Sequence, residues 1–258
     1  MNGMLEVINL SHTHAKGTPM EKAALKNVSF RLQPGEFACV VGQNGSGKSS
    51  LLHLIAGVYR PDQGIIKIKG EEVTALPQHR RAGQIGLVWQ NPLQGTAPGM
   101  TVEENLTLAL CKGRTSSLQP LLSSRRRNEL REHLSRLDLG LEDRLRHQVG
   151  LLSGGQRQAL TLLMATVARP RLLLLDEHTA ALDPAAAVRV IDITKRLIGE
   201  NQLTTLMVTH NLEQAVQLGN RLLMLTDGEL VMDRSAASKA QLDVQQLEAA
   251  FHRPTFAG

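Results

Sequence analysis

The chain has 258 residues and a mass of 28.2 kDa, with 42% hydrophobic and 21% charged residues; this length supports a core of ordinary size and excludes disulfide-stapled mini-proteins, disordered chains and coiled-coil arrays. Twenty-nine basic against 24 acidic residues leave a net charge of +5, which suits an anionic ligand, a membrane surface or nucleic acid alike. Aromatic residues make up only 2% of the chain, so the base-stacking platforms of RNA and single-strand binders are missing and nucleic acid falls back as a partner.

In chain order, the apolar alternation of residues 4–10 and 28–33 predicts two strands, and Pro34-Gly35 marks a turn. Phe37 to Val41 is a short continuous apolar run, the pattern of a strand buried on both faces, and it leads into a glycine-rich loop. Leu51, Leu52, Leu54 and Ile55 have helical spacing up to Gly57, a C-terminal stop. Strands follow at Gly64–Ile68 and Ile85–Trp89. Pro92, Pro98 and Gly99 then make a loop, and helices are expected over Thr101–Ala109, opened by a Thr101/Glu104 capping box, and over Leu118–Leu141, with an apolar stripe at Leu130, Leu134, Leu137 and Leu141. From Leu152 helices and strands alternate: helix Gln156–Ala168, strand Leu172–Leu175, helix Pro184–Ile198, strand Thr204–Val208, helix Leu212–Leu218 and strand Leu222–Leu225. A turn, a short strand and one amphipathic helix complete the chain. The pattern is α/β, a mainly parallel core sheet flanked by helices, with an N-terminal antiparallel part and a helical insertion.

The division expected is a first core part at 1–90, a helical subdomain at 91–155, a second core part at 156–230 and a tail at 231–258. No apolar stretch approaches the roughly 20 residues of a membrane-spanning helix. Residues 1–10 lack the basic start and apolar run of a secretory signal, so the chain is expected to stay where it is made. Cys39 and Cys111 have no metal-ligand spacing and read as buried small hydrophobes of a reducing compartment. Arg125, Arg126 and Arg127 read as a solvated helix face.

Three strings carry chemistry. Gly42, Gln43, Asn44, Gly45, Ser46, Gly47, Lys48 and Ser49 match G-x-x-x-x-G-K-[ST] between a buried strand and a helix, the context in which glycines let backbone N–H groups curl around phosphate oxygens. Lys48 then supplies charge to the β- and γ-phosphates and Ser49 a hydroxyl to Mg²⁺; Ser50 follows in the same helix start. The strand ending in Asp176 and Glu177 puts two carboxylates at the C-terminal sheet edge, where ligands sit, Asp176 for the metal and Glu177 to polarise the attacking water. The third string is Leu152-Ser153-Gly154-Gly155-Gln156 at the start of a helix.

Together these motifs resemble the ATP-binding subunit of an ABC transporter, over about residues 4 to 230. The resemblance implies an ATPase using ATP and Mg²⁺, in which Ser153, Gly154, Gly155 and Gln156 close over ATP held by a second subunit, so that each chain owns half of each site and a homodimer is required. It also implies roles for Gln90 as the glutamine that touches Mg²⁺ or water, for Asp183 in the loop crossing the dimer interface, and for His210 as the histidine at the γ-phosphate. His14 stands where the family carries an adenine-stacking aromatic, while His178 and Ala180 replace the usual Pro and Ser. The family further implies transmembrane permease partners at the cytoplasmic face of the membrane and an external solute-binding protein. Import is favoured over export because the chain is not fused to a membrane domain. The Asp176–Pro184 form and the segment after Gln90 resemble importer ATPases whose binding proteins are like amino-acid or aromatic-compound receptors. The alternative, a soluble ABC-type ATPase acting on nucleic acid or ribosomes, is opposed by the single copy of each motif and by the short insertion between Lys48 and Ser153. A plain kinase or GTPase is opposed by the third string.

Overall fold

The computed structural model describes residues 3–112, 123–239 and 244–251. In chain order the strands and α-helices are β1 (Leu5–His14), β2 (Lys22–Leu32), β3 (Phe37–Val41), α1 (Lys48–Ala56), β4 (Gln63–Ile68), β5 (Glu71–Glu72), α2 (Gln78–Arg81), β6 (Ile85–Val88), α3 (Val102–Cys111), α4 (Ser124–Ser135), α5 (Gly154–Thr166), β7 (Leu172–Asp176), α6 (Pro184–Asn201), β8 (Thr204–Val208), α7 (Leu212–Gln217), β9 (Arg221–Thr226), β10 (Glu229–Arg234), α8 (Ala236–Lys239) and α9 (Val244–Phe251). They form two compact units, residues 1–78 with 204–258, and residues 79–203.

In the first unit β1 pairs antiparallel with both β2 and β4, giving the order β2-β1-β4-β5. Burial alternates in β2, where Val28, Phe30 and Leu32 are enclosed between exposed Ser29 and Arg31; in β1 Leu5, Val7 and Leu10 are enclosed too, but Glu6 is buried with them and the register shifts before Leu10. Pro34-Gly35 makes the expected turn, with Gly35 at φ 76° and the Glu36 N–H donating to the Gln33 carbonyl at 3.1 Å. β3 lies between two parallel neighbours, Phe37 opposite Thr205 of β8 and Ala38 opposite Arg221 of β9. All five of its residues are buried, as a continuous apolar run requires of a central strand. β10 returns antiparallel to β9.

In the second unit β6 and β7 run parallel in the register Ile85–Leu172 to Val88–Leu175, and Leu172 to Leu175 are fully enclosed. α5 crosses β6 at Gly86, where any Cβ would fall onto the Ala165 carbonyl oxygen. The capping box at Thr101 is present: its hydroxyl accepts from the Glu104 N–H, and the Glu104 carboxylate accepts from the Thr101 N–H at 2.7 Å.

Several expectations are corrected. The helix expected over Leu118–Leu141 is α4 alone, with residues 113–122 outside the described segments. Leu137 and Leu141 are buried like Leu130 and Leu134, but they lie past the helix end, where Asp138 at φ 56° and Gly140 at φ 65° break the repeat. Arg127 is only partly solvated: it pairs bidentately with the buried carboxylate of Glu103, Nε to Oε2 at 2.7 Å, clamping α4 to α3. Arg125 and Arg126 do reach Glu129 on the helix surface. Cys39 is buried, whereas Cys111 is only half-buried. The tail contains two helices, not one, with residues 240–243 and 252–258 outside the described segments.

Candidate functional site

In the first unit the residues of the phosphate loop are those that leave β3. Gly45 and Gly47 take left-handed backbone at φ 82° and 101°, a conformation that side chains resist. Gly42 and Gly47 are also needed for room, since a Cβ would strike the Leu225 carbonyl oxygen at the first and the Ala24 carbonyl oxygen at the second. Lys48 begins α1, is 4% exposed, and folds its ammonium back across the loop to donate to the carbonyls of Gly42 at 2.8 Å and Gln43 at 2.9 Å. The buried Ser46 hydroxyl has no hydrogen-bond partner among the described residues. A curled loop with a desolvated cation and an unmatched hydroxyl fits an anionic phosphate chain. Gln43, Asn44 and Gly45 are exposed at its tip, and Ser49 and Ser50 are half-buried in the first turn of α1.

Two further predicted residues belong to this unit. His210 is exposed two residues beyond β8, whose parallel neighbour β3 delivers the loop, so both come from the same strand ends. The segment is anchored by the Thr209 N–H, which donates to the Val40 carbonyl at 3.2 Å, and by Asn211, which caps α7 by accepting from the Gln214 N–H. His14 ends β1 and shares a hydrogen bond with the Ser50 hydroxyl at 2.9 Å. Lys22, opposite His14 on the β1–β2 ladder, was not singled out from the sequence; its ammonium stands 3.2 Å from where a Cβ of Gly45 would lie. Only the strand register brings this cation to the loop.

In the second unit Asp176 is the last residue of β7 and is 6% exposed. Glu177 follows in left-handed backbone, φ 42°, a conformation costing a residue with a side chain about 1–3 kcal/mol. The turn is closed by the Ala180 N–H on the Glu177 carbonyl at 2.9 Å. The departure at His178 is structural: the ring is buried against α6, its Nε2 3.0 Å from the Thr194 hydroxyl, and burial pushes its pKa down to about 4. Gln90, exposed, follows the end of β6. Its neighbour is tied to α5 by Gln158, fully buried, whose Nε2 donates to the Trp89 carbonyl at 3.4 Å. Gln158 was also missed, because its role depends on which strand its helix crosses.

Ser153 caps α5, its hydroxyl accepting from the Gln156 N–H and its own N–H donating to the Gln156 side chain at 3.2 Å. Gln156 donates onward to the Leu139 carbonyl. Gly154 and Gly155 open the helix. At Gly155 a Cβ would stand 2.9 Å from the Ala186 Cβ, so the glycine is what lets α5 approach α6 this closely. Asp183 caps α6 by accepting from the Ala186 N–H at 2.9 Å, with Pro184 following. Ser153, Gly155, Gln156 and Asp183 line one cavity of about 450 Å³, which Asp138 and Arg189 also border. Asp183 thus shares one surface with the distant Ser153–Gln156 segment and the helix N-terminus it opens.

The donors predicted for a metal, the Ser49 hydroxyl, the Gln90 amide and the Asp176 carboxylate, are all hard oxygens, the set that Mg²⁺ takes. Among the described residues no group of three or more His, Cys, Asp or Glu could hold a metal ion, and no helix is long and apolar enough to cross a membrane.

Comparison with known proteins bears on the family. The family model described as ABC transporter matches residues 25–180. The chain is 42% identical over 244 residues to the tyrosine transport ATP-binding protein of Clostridioides difficile, covering 95% of this chain and 97% of that one. It is 32% identical to the ABC transporter ATP-binding protein YtrE of Bacillus subtilis, covering 88% of this chain and 96% of that one. Among solved structures it is similar to the dimeric post-hydrolysis state of the ATP-binding cassette MJ0796 bound to ADP and Pi, with a TM-score of 0.76 and 30% identity over 90% of this chain and 99% of that one. A phosphate loop of this build, found with matches that run nearly end to end, makes the chain a member of the ABC transporter family and one of its ATP-binding, ATP-hydrolysing subunits.

Proposed function

We propose that the chain is the motor of an importer, working as a homodimer at the cytoplasmic face of a membrane beneath separate permease subunits. The observation that carries this reading is the phosphate loop with its enclosed Lys48 and unmatched Ser46 hydroxyl. Gly42 to Ser50 bind the triphosphate, Lys48 holding the β- and γ-phosphates. Ser49, Gln90 and Asp176 would hold Mg²⁺, which when bound would supply positive charge to the phosphates. Glu177, which follows the β7 strand end in left-handed backbone, polarises the attacking water. His210 donates to the γ-phosphate. Ser153, Gly154, Gly155 and Gln156, with Asp183, complete the site of the second copy; that Ser153, Gly155, Gln156 and Asp183 line a common cavity supports this. ATP then binds best to the closed pair, and only such a difference in affinity can shift the equilibrium between open and closed.

Closure is passed to the permease through Gln90 and the helical segment within 91–155, with Gln158 of α5 holding the Trp89 carbonyl beside Gln90. The division at 1–90, 91–155, 156–230 and 231–258 follows these roles. An external binding protein delivers the solute, which belongs to the amino-acid or aromatic-compound class; the 42% identity to a protein named for tyrosine transport supports that class. The test of the site is a pair of variants. Lys48→Ala should weaken ATP binding itself, and Glu177→Gln should bind ATP while barely hydrolysing it. Unchanged ATP affinity in the first, or fast turnover in the second, would remove the assignment. Purification of a tagged copy from detergent-solubilised membranes should bring down a multi-span protein; recovery of the chain with ribosomes or DNA instead would overturn the transporter reading.

A further inference from the structure

Four rings meet in the first unit. Tyr59, the chain's one tyrosine, is stacked on His12 with centroids 5.6 Å apart and planes 11° apart. It meets His14 edge to face at 5.4 Å and His53 edge to face at 5.2 Å. His12 and His14 are themselves perpendicular at 4.8 Å. These separations lie in the favourable range for aromatic pairs, about 4.5–7 Å. The chain is bent into this arrangement at both ends. Gly57, left-handed at φ 80°, stops α1, and the Val58 and Tyr59 N–H groups both donate to the His53 carbonyl, so that Tyr59 turns back onto the helix it has just left. Asp62 fastens the other end, its N–H donating to the Ser11 carbonyl at 2.9 Å and its carboxylate accepting from the Thr13 N–H at 2.7 Å.

The cluster adjoins the phosphate loop. His14 is bonded to Ser50, in the first turn of α1, and its ladder partner Lys22 reaches Gly45. Tyr59 remains 37% exposed. Burial and the neighbouring His14 hold the His12 pKa below the ordinary imidazole range, against the opposing pull of Asp62 and the Arg60 backbone, so His12 is an uncharged ring at neutral pH. Nothing in the assigned roles uses Tyr59 or His12.

We propose that Tyr59 and His12 are positioning residues that hold the His14 imidazole as the stacking platform for the nucleobase, so that base affinity is set by a cluster of rings rather than by one side chain. The inference rests on the ATP-site reading above. An imidazole offers less area than a tyrosine or tryptophan ring, and a ring already fixed by its neighbours loses little freedom when a base lands on it. The cluster compensates for the small platform by ordering it.

The experiment compares two ligands of the full chain, Mg-ATP and inorganic tripolyphosphate, by titration calorimetry. The phosphate loop grips both, but only ATP carries a base. His14→Ala and Tyr59→Leu should each lose roughly tenfold in ATP affinity, the scale of one base stack, and leave tripolyphosphate affinity within about twofold. Tyr59→Phe, which keeps the ring, should restore ATP affinity. A Tyr59→Leu variant with an unchanged ratio of the two affinities overturns the inference, as does one in which both fall together, because a merely structural role moves both. Should Tyr59→Leu not fold, an unchanged ratio in His14→Ala decides in the same sense. If the unmodified protein binds neither ligand, the ATP-site reading fails and this inference with it; if it binds both and only the ratio is insensitive, this inference fails alone.

Discussion

His178 makes stability depend on pH in a way that can be worked from the structure. The ring is 2% exposed, its Nε2 bonded to the Thr194 hydroxyl, and burial lowers its pKa from 6.5 to about 4. A group whose folded pKa is depressed leaves the unfolded chain binding more protons between those two values, so stability is complete above about pH 6.5 and is lost as pH falls toward 4. At pH 5 the unfolded imidazole is nearly all protonated and the folded one nearly all neutral, which amounts to about 2 kcal/mol lost relative to pH 7.5. His12 and His133 are depressed in the same direction, largely by burial, so the wild-type curve alone does not isolate His178. The assay is urea denaturation of the wild type and of His178→Gln, which keeps a polar partner for Thr194 without a titrating ring, at pH 7.5, 6 and 5. The wild type should lose about 2 kcal/mol more than the variant between the first and last pH. Parallel loss in the two proteins would refute the claim that His178 is held neutral.

Other expectations follow from named contacts. Arg127→Ala strips the partner from the buried Glu103 carboxylate and should lower the urea midpoint, whereas Arg125→Ala, 92% exposed at its side chain, should leave it unchanged; equal shifts in the two variants would contradict the clamp. Thiol alkylation of the native protein should mark Cys111 and spare Cys39, whose thiol is enclosed and pushed up to about 12; equal labelling of both would contradict the packing around β3. Gly155→Ala brings a methyl group 2.9 Å from Ala186 and should separate α5 from α6, lowering stability by about 1 kcal/mol; ATPase activity unimpaired in that variant would argue against a role for this helix start.

What the sequence made legible was contiguous. The phosphate loop, the Asp176-Glu177 strand end and the Leu152–Gln156 string each lie within a few residues of one another, and local backbone chemistry is enough to read them. The strands were legible because burial on one or both faces writes a period into the chain, as at Leu5, Val7 and Leu172 to Leu175. What was not legible depends on contacts between distant residues. The Arg125–Arg127 run is uniform in sequence, and only the approach of Glu103, 24 positions earlier, separates Arg127 from its neighbours. Leu137 and Leu141 continue the helical stripe of α4 although the helix has ended, because burial, which the stripe reports, outlasts the hydrogen-bonding pattern. The left-handed backbone of Glu177 has no sequence marker at all, since such a conformation is normally announced by glycine or asparagine. The scarcity of Phe, Tyr and Trp concealed the ring cluster, three of whose four members are histidines.

The central claim is that each copy holds half of each reaction centre. It is tested most directly by measuring ATP turnover per mole of chain across a dilution series, with size exclusion of Glu177→Gln alongside. Turnover per mole should fall as the protein is diluted, and the variant with Mg-ATP should elute at twice the 28.2 kDa chain mass while eluting as a single chain without nucleotide. A rate per mole that is independent of concentration, in a protein that stays a single chain throughout turnover, would contradict it.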